Sequence, residues 1–175
     1  MQQVSLFKVK QFIRVKTLIL MRHSTAEHGS SNIDDVNRKL TRHGVLVAQN
    51  QAARLQSSLI PLDLILSSHA VRAIETASLV AATYSFDKSI KQDPFLYLNY
   101  TTQDFIQWLI QQAGTTKSIL VVGHNPEISS LAHRLSDGKT DAFQPGTIAI
   151  LVIDINDWKD LEVGRKVGAT FLPPM

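Results

Sequence analysis

Three short apolar runs, Thr17 to Met21, Leu62 to Leu66 and Ser118 to Val122, each give way to a polar step that carries histidine, arginine or both. The first opens into Arg22-His23-Ser24. The second opens into Ser67-Ser68-His69, with Arg72 a turn later, and the third into Gly123-His124-Asn125-Pro126. Runs this short and apolar predict buried strands. The stretches between them place apolar residues at helical spacing. Alternation of this kind constrains the chain to an α/β fold, a three-layer sandwich with a mostly parallel central sheet between helices. In such sheets ligands bind beyond the carboxyl ends of the strands, so the three exits converge on one candidate site.

The remaining elements follow from pattern and punctuation. Residues 30–39 are polar and predict a loop with room for one helical turn. Val45, Val47, Ala48, Ala52, Leu55 and Leu59 predict a helix over 41–59, with Thr41 as its cap and Pro61 as its stop. Helices are also expected over 70–84, 101–113 and 127–135. In the second of these, Phe105, Trp108 and Leu109 face the core and Gly114 ends the helix. Pro94 interrupts 90–97, which reads as a short strand or extended connection. Residues 147–153 predict another apolar strand and 158–171 a last hairpin arm at a sheet edge, with Trp158 packed near the last strand. No repeat or linker breaks the chain, so 17–175 is expected to be a single domain preceded by a basic extension over 1–16. That extension has neither the unbroken apolar stretch nor the small-residue cleavage site of a signal peptide.

Composition excludes several classes. Apolar residues at 44% and charged residues at 19% describe an ordinary globular chain. The formal charge of +3 is not gathered into a basic face, which argues against nucleic acid as partner. No apolar run approaches the ~20 residues of a membrane span. The chain has no cysteine, so disulfides, thiolate metal sites and thiol nucleophiles are excluded, and a cytoplasmic location is expected.

Singly, each exit residue has an ordinary explanation as a loop histidine or a solvated arginine. Together they describe a phosphoryl site. Guanidinium forks bind phosphoryl oxygens and stay charged. Arg72 stands at a helix start, where the dipole disfavours a cation unless an anion lies between them. A neutral imidazole is a nucleophile toward phosphorus, and a second, protonated imidazole stabilises charge on the transferring group. Arg22, His23, Arg72 and His124 supply these parts. The six histidines show no HExxH or comparable pairing, so neither metal nor other cofactor is expected.

The same residues resemble a known family. LMRHSTAE is similar to the RHG signature of the histidine phosphatase superfamily, whose motif histidine is transiently phosphorylated. RKLTRHG (38–44), LILSSHAVRAIETA (64–77) and VVGHNPEI (121–128) resemble further motifs of its small SixA-like phosphohistidine phosphatases, in the same order, from about Leu18 to Ile153. The resemblance implies a phosphoglycerate-mutase-like histidine phosphatase fold. It implies His23 as nucleophile, with Arg22, Arg38, Arg72 and His124 on the phosphate and Ser24, where the family has glycine, beside it. Lys39 replaces the family's proline. Phe95, in DPFLYLNY, stands where relatives carry glutamate.

A missing acid bears on the substrate. An alkoxide leaving group needs a proton, whereas imidazole departs neutral when its far ring nitrogen is protonated. The implied function is therefore a metal-independent phosphohistidine phosphatase. Its substrate would be a phosphohistidine-bearing protein such as a histidine phosphotransfer domain, and the reaction would pass through phospho-His23. The alternatives are a phosphatase for a small phosphorylated molecule, needing an acid from Asp93, Glu27 or Asp104, and an inactive phosphate-binding or docking module. Glu75 is expected to pair with a neighbouring cation, and His28 and His69 to be loop residues near the rim.

Overall fold

The structure, a computed structural model, describes residues 15–29, 34–97, 99–138 and 143–175. The expected extension lies largely outside these residues. The elements in chain order are β1 (Val15–Arg22), α1 (Arg42–Gln56), β2 (Leu64–Ser67), α2 (Val71–Thr83), β3 (Lys91–Gln92), α3 (Thr102–Ala113), β4 (Ser118–Gly123), α4 (Glu127–Leu135), β5 (Ile148–Asp154) and β6 (Arg165–Leu172). Short 3-10 turns cover Asp35–Asn37, Pro94–Tyr97 and Trp158–Asp160.

The six strands form one sheet in the order β3-β2-β4-β1-β5-β6. Strands β3, β2, β4 and β1 are mutually parallel. Strand β5 runs antiparallel to both β1 and β6, so β6 is the hairpin arm at the edge. The alternation of side chains along each strand creates the three layers. Leu18, Leu20, Leu64, Leu66, Ile119 and Val121 face α3 and α4, whereas Ile19, Met21, Ile65, Leu120 and Val122 face α1 and α2. Each fully buried side chain of this size contributes about 1.5–3 kcal/mol. That makes β1, β2 and β4 the rigid centre from which the site projects.

Several boundaries differ from the sequence reading. β1 begins earlier than expected, at Val15. Buried Lys16 donates to the Thr116 carbonyl at 2.6 Å and lies over the Trp158 ring. Trp158 seals the amino end of the sheet, its Nε1 donating to the same carbonyl, within the buried cluster against which Ala169 and Phe171 of the last strand pack. Helix α1 ends at Gln56, before Pro61, because Leu59 turns into the left-handed region (φ 57°) and is 88% exposed. The 90–97 stretch divides into the two-residue strand β3 and a 3-10 turn started by Pro94.

Two glycines are required by close approach. Thr41 caps α1 by accepting the Gly44 N–H, and a Cβ on Gly44 would stand 2.0 Å from the Thr25 carbonyl oxygen. Gly146, at φ 90°, donates its N–H to the Arg22 and His23 carbonyls, and a Cβ there would meet Val47 at 2.8 Å. Both positions press neighbouring elements against the segment that carries His23.

Candidate active site

The exits of β1, β2 and β4 are tied together through their main chains. The His23 N–H donates to the Gly123 carbonyl at 3.0 Å, and the Ser68 N–H to the Val122 carbonyl at 3.0 Å. Because β5 runs the other way, its entry loop arrives at this same edge. The Phe143 carbonyl of that loop accepts from Arg22 Nη1 at 2.9 Å and from Asn125 Nδ2 at 3.0 Å. The result is an open cavity of about 530 Å³ whose walls include Arg22, His23, Arg38, Arg72 and His124. The structure brings these five expected residues together.

Within it, the His23 Nδ1–H donates to the Ser24 carbonyl at 2.7 Å. That bond fixes the tautomer and leaves a lone pair on Nε2, which Arg72 Nε approaches at 3.3 Å. The His23 and His124 ring centroids are 4.9 Å apart. His124 Nε2 lies 2.8 Å from the Ser68 hydroxyl, which also accepts the Ala70 N–H. Burial, with Arg72, Arg22 and Arg38 adding to it, lowers the His23 pKa to about 4. Burial, then the neighbouring His23 and Arg72, lowers that of His124 to about 3. Both rings are therefore neutral near pH 7 in the free site, before a phosphoryl group enters.

Arg72 is buried, 4% exposed, at the first turn of α2. Its Nη1 donates to the Asp35 carbonyl at 2.6 Å and its Nη2 to Asp35 Oδ2 at 2.8 Å. Arg38 donates from Nε to Asp35 Oδ1 at 2.8 Å, with Nη2 in ion-pair contact with the same oxygen at 2.7 Å, and from Nη1 to the Glu27 carbonyl. The Tyr97 hydroxyl donates to Asp35 Oδ2 at 2.6 Å. These donors, Tyr97 first, hold the Asp35 carboxyl far below the usual carboxylate range.

Other expectations are corrected. Ser24 is fully buried behind the site; its N–H donates to Thr76 Oγ1, and its side chain does not line the cavity. Asp93 accepts from the Phe95 N–H and from Trp108 Nε1, and Asp104 closes a capping box with Thr101, so neither lines the cavity. Glu27 is exposed, its carbonyl accepts from Arg38 Nη1, and it does not line the cavity. Glu75 accepts the Leu40 N–H instead of pairing with a cation. His28 is exposed, and His69 stacks edge-on against Tyr97. The lining residues that the sequence reading missed include Asp35, Tyr97, Asn99, Asn125 and Glu127. Asn125 and Glu127 lie inside the quoted VVGHNPEI motif, where the order of residues signalled them. Asp35 and Tyr97 reach the site from turns that carry no such mark. Among the described residues, no three His, Asp or Glu side chains gather as a metal ion would need.

A family model for the histidine phosphatase superfamily, branch 1, matches residues 18–97, the segment holding Arg22, His23, Arg38 and Arg72. Over that segment the chain resembles the histidine phosphatase superfamily. Its similarity to solved structures is extensive. A protein assigned as the phosphohistidine phosphatase SixA from Nakamurella multipartitia superposes with a TM-score of 0.73 at 24% identity, over 92% of this chain and 95% of its own. The protein histidine phosphatase SixA in complex with tungstate gives 0.72 at 23% identity, over 91% and 96%. At these identities the likeness establishes the shared histidine phosphatase fold. An uncharacterised Picosynechococcus protein is 27% identical over 128 residues, 70% of this chain and 74% of that protein. Among the described residues, no helix is long and apolar enough to cross a membrane.

Proposed function

We propose that this protein is a metal-independent phosphohistidine phosphatase acting on phosphohistidine displayed by another protein, a histidine phosphotransfer domain being a fitting partner. The observation that carries the reading is the His23 tautomer. Nδ1–H is committed to the Ser24 carbonyl, so the Nε2 lone pair faces a cavity lined by Arg22, Arg38 and Arg72. Nε2 attacks phosphorus in line, and the arginines carry the charge on the phosphoryl oxygens. With Nε2 of His124 engaged by Ser68, Nδ1 is the nitrogen left to serve those oxygens. Water then releases phosphate from phospho-His23. The broad, open cavity suits a histidine side chain presented from a protein surface. Asp93 and Asp104, two of the acids that an ester substrate would have called upon, are spent on structural bonds.

The test compares a phosphohistidine-bearing protein with phosphate monoesters, in chelator, for wild type and His23→Ala. Chelator-resistant turnover that favours the P–N bond and is lost in the variant is expected. Equal or better turnover of monoesters would make the chain a general phosphomonoesterase. Binding of phosphoprotein with no His23-dependent turnover would make it a docking module.

A further inference from the structure

Among the described residues two carboxylates line the cavity, and only one is committed. Asp35 accepts three side-chain hydrogen bonds, from Arg38 on one oxygen and from Arg72 and Tyr97 on the other, and is ion-paired with both arginines. Glu127, the first residue of α4 and half-buried, lines the same cavity three residues beyond His124. Among the described residues its carboxylate has no hydrogen-bond or ion-pair partner. A free carboxylate in a pocket built for an anion repels the phosphoryl group and weakens its binding. The same group is suited to whatever brings a proton into the pocket: a ring N–H of the leaving histidine, or the attacking water.

We propose that Glu127 is a further catalytic residue, the acceptor for the proton-bearing side of both half-reactions; this rests on the phosphohistidine reading. In the first step the substrate ring is protonated on the nitrogen remote from phosphorus, and Glu127 accepts that N–H. His23 Nε2 forms its bond to phosphorus as the substrate P–N bond breaks. The bonding pair stays on the ring nitrogen, and the histidine leaves as neutral imidazole. In the second step Glu127 takes a proton from water as the new O–P bond forms. The P–N bond to His23 breaks, its pair returns to Nε2, and inorganic phosphate is released. The proton on His23 Nδ1 stays there, donated to the Ser24 carbonyl, throughout, and Glu127 passes its proton to solvent.

The test uses the full chain with Glu127→Gln and Glu127→Asp, a phosphohistidine peptide and p-nitrophenyl phosphate, in rapid-quench single turnovers. Glu127→Gln is expected to slow phosphohistidine turnover at least ~10-fold and to let phospho-His23 accumulate, with Glu127→Asp intermediate. Rates within about threefold of wild type in both half-reactions would overturn the proposal. If wild type fails to turn over phosphohistidine, the functional reading falls alone. Hydrolysis of phospho-His23 formed from p-nitrophenyl phosphate then decides for Glu127: slowed in Glu127→Gln, the role stands; unchanged, it falls.

Discussion

Asp35 holds Arg72 and Arg38 at once, one carboxylate oxygen on each guanidinium, at 2.7–2.8 Å. It occupies faces that a phosphoryl group would use, so it both positions the two cations and competes with the incoming anion. Asparagine keeps the shape and removes the charge. Asp35→Asn is expected to tighten competitive inhibition by inorganic phosphate about fivefold, roughly 1 kcal/mol for a half-exposed charge, while lowering thermal stability. A weaker inhibition constant would show that the positioning role dominates.

Ser68 reaches His124 Nε2 at 2.8 Å and so governs which ring nitrogen faces the cavity. Ser68→Ala is expected to lower kcat/KM by about tenfold, a smaller loss than His124→Ala, because the ring remains while its tautomer and orientation are freed. Steady-state kinetics of the two variants and of the double variant check this. Additive losses would mean that the two residues do not act as a unit.

Acid should cost this fold stability before it protonates the site. The His23 and His124 pKa values are lowered to about 4 and about 3, against ~6.5 in an unfolded chain. Between these values the unfolded chain binds more protons than the native one, so stability is full above pH ~6.5 and falls as pH drops toward about 4. Urea midpoints across that range are expected to decline in wild type and to decline less in His23→Gln and His124→Gln. An unchanged slope in both variants would remove the histidines as the cause.

Gly44 is where α1 presses on the loop after His23. A Cβ 2.0 Å from the Thr25 carbonyl oxygen cannot be accommodated without moving backbone. Gly44→Ala is expected to destabilise the chain by about 1–3 kcal/mol, the cost of overpacking, and to lower activity through displacement of the His23 segment. Denaturant unfolding paired with kinetics checks both effects.

What the sequence could disclose was set by local pattern. The strand exits at Arg22-His23, Arg72 and His124 were legible because apolar runs mark β1, β2 and β4, and an α/β sheet brings their ends together. The capping of α1 by Thr41 and the stop of α3 at Gly114 were legible for the same local reason. Partners drawn from distant turns were not. Asp35 meets Arg72 and Tyr97 only through the folding of two loops. The Phe143 carbonyl that steadies Arg22 is a main-chain atom, which no residue identity announces. The antiparallel course of β5, which brings that carbonyl to the site, leaves no trace in an apolar run that would read the same in either direction. Ser24 was misplaced because adjacency to His23 in sequence puts its side chain on the opposite face of the segment.

The central claim is that His23 Nε2 carries the phosphoryl group in transit. Rapid-quench mass spectrometry of the full chain mixed with a phosphohistidine-bearing protein tests it most directly. The account predicts one acid-labile phosphoryl group on His23, formed and consumed at rates that match turnover and absent in His23→Ala. Turnover without a phosphorylated His23, or with the label on another residue, would contradict it.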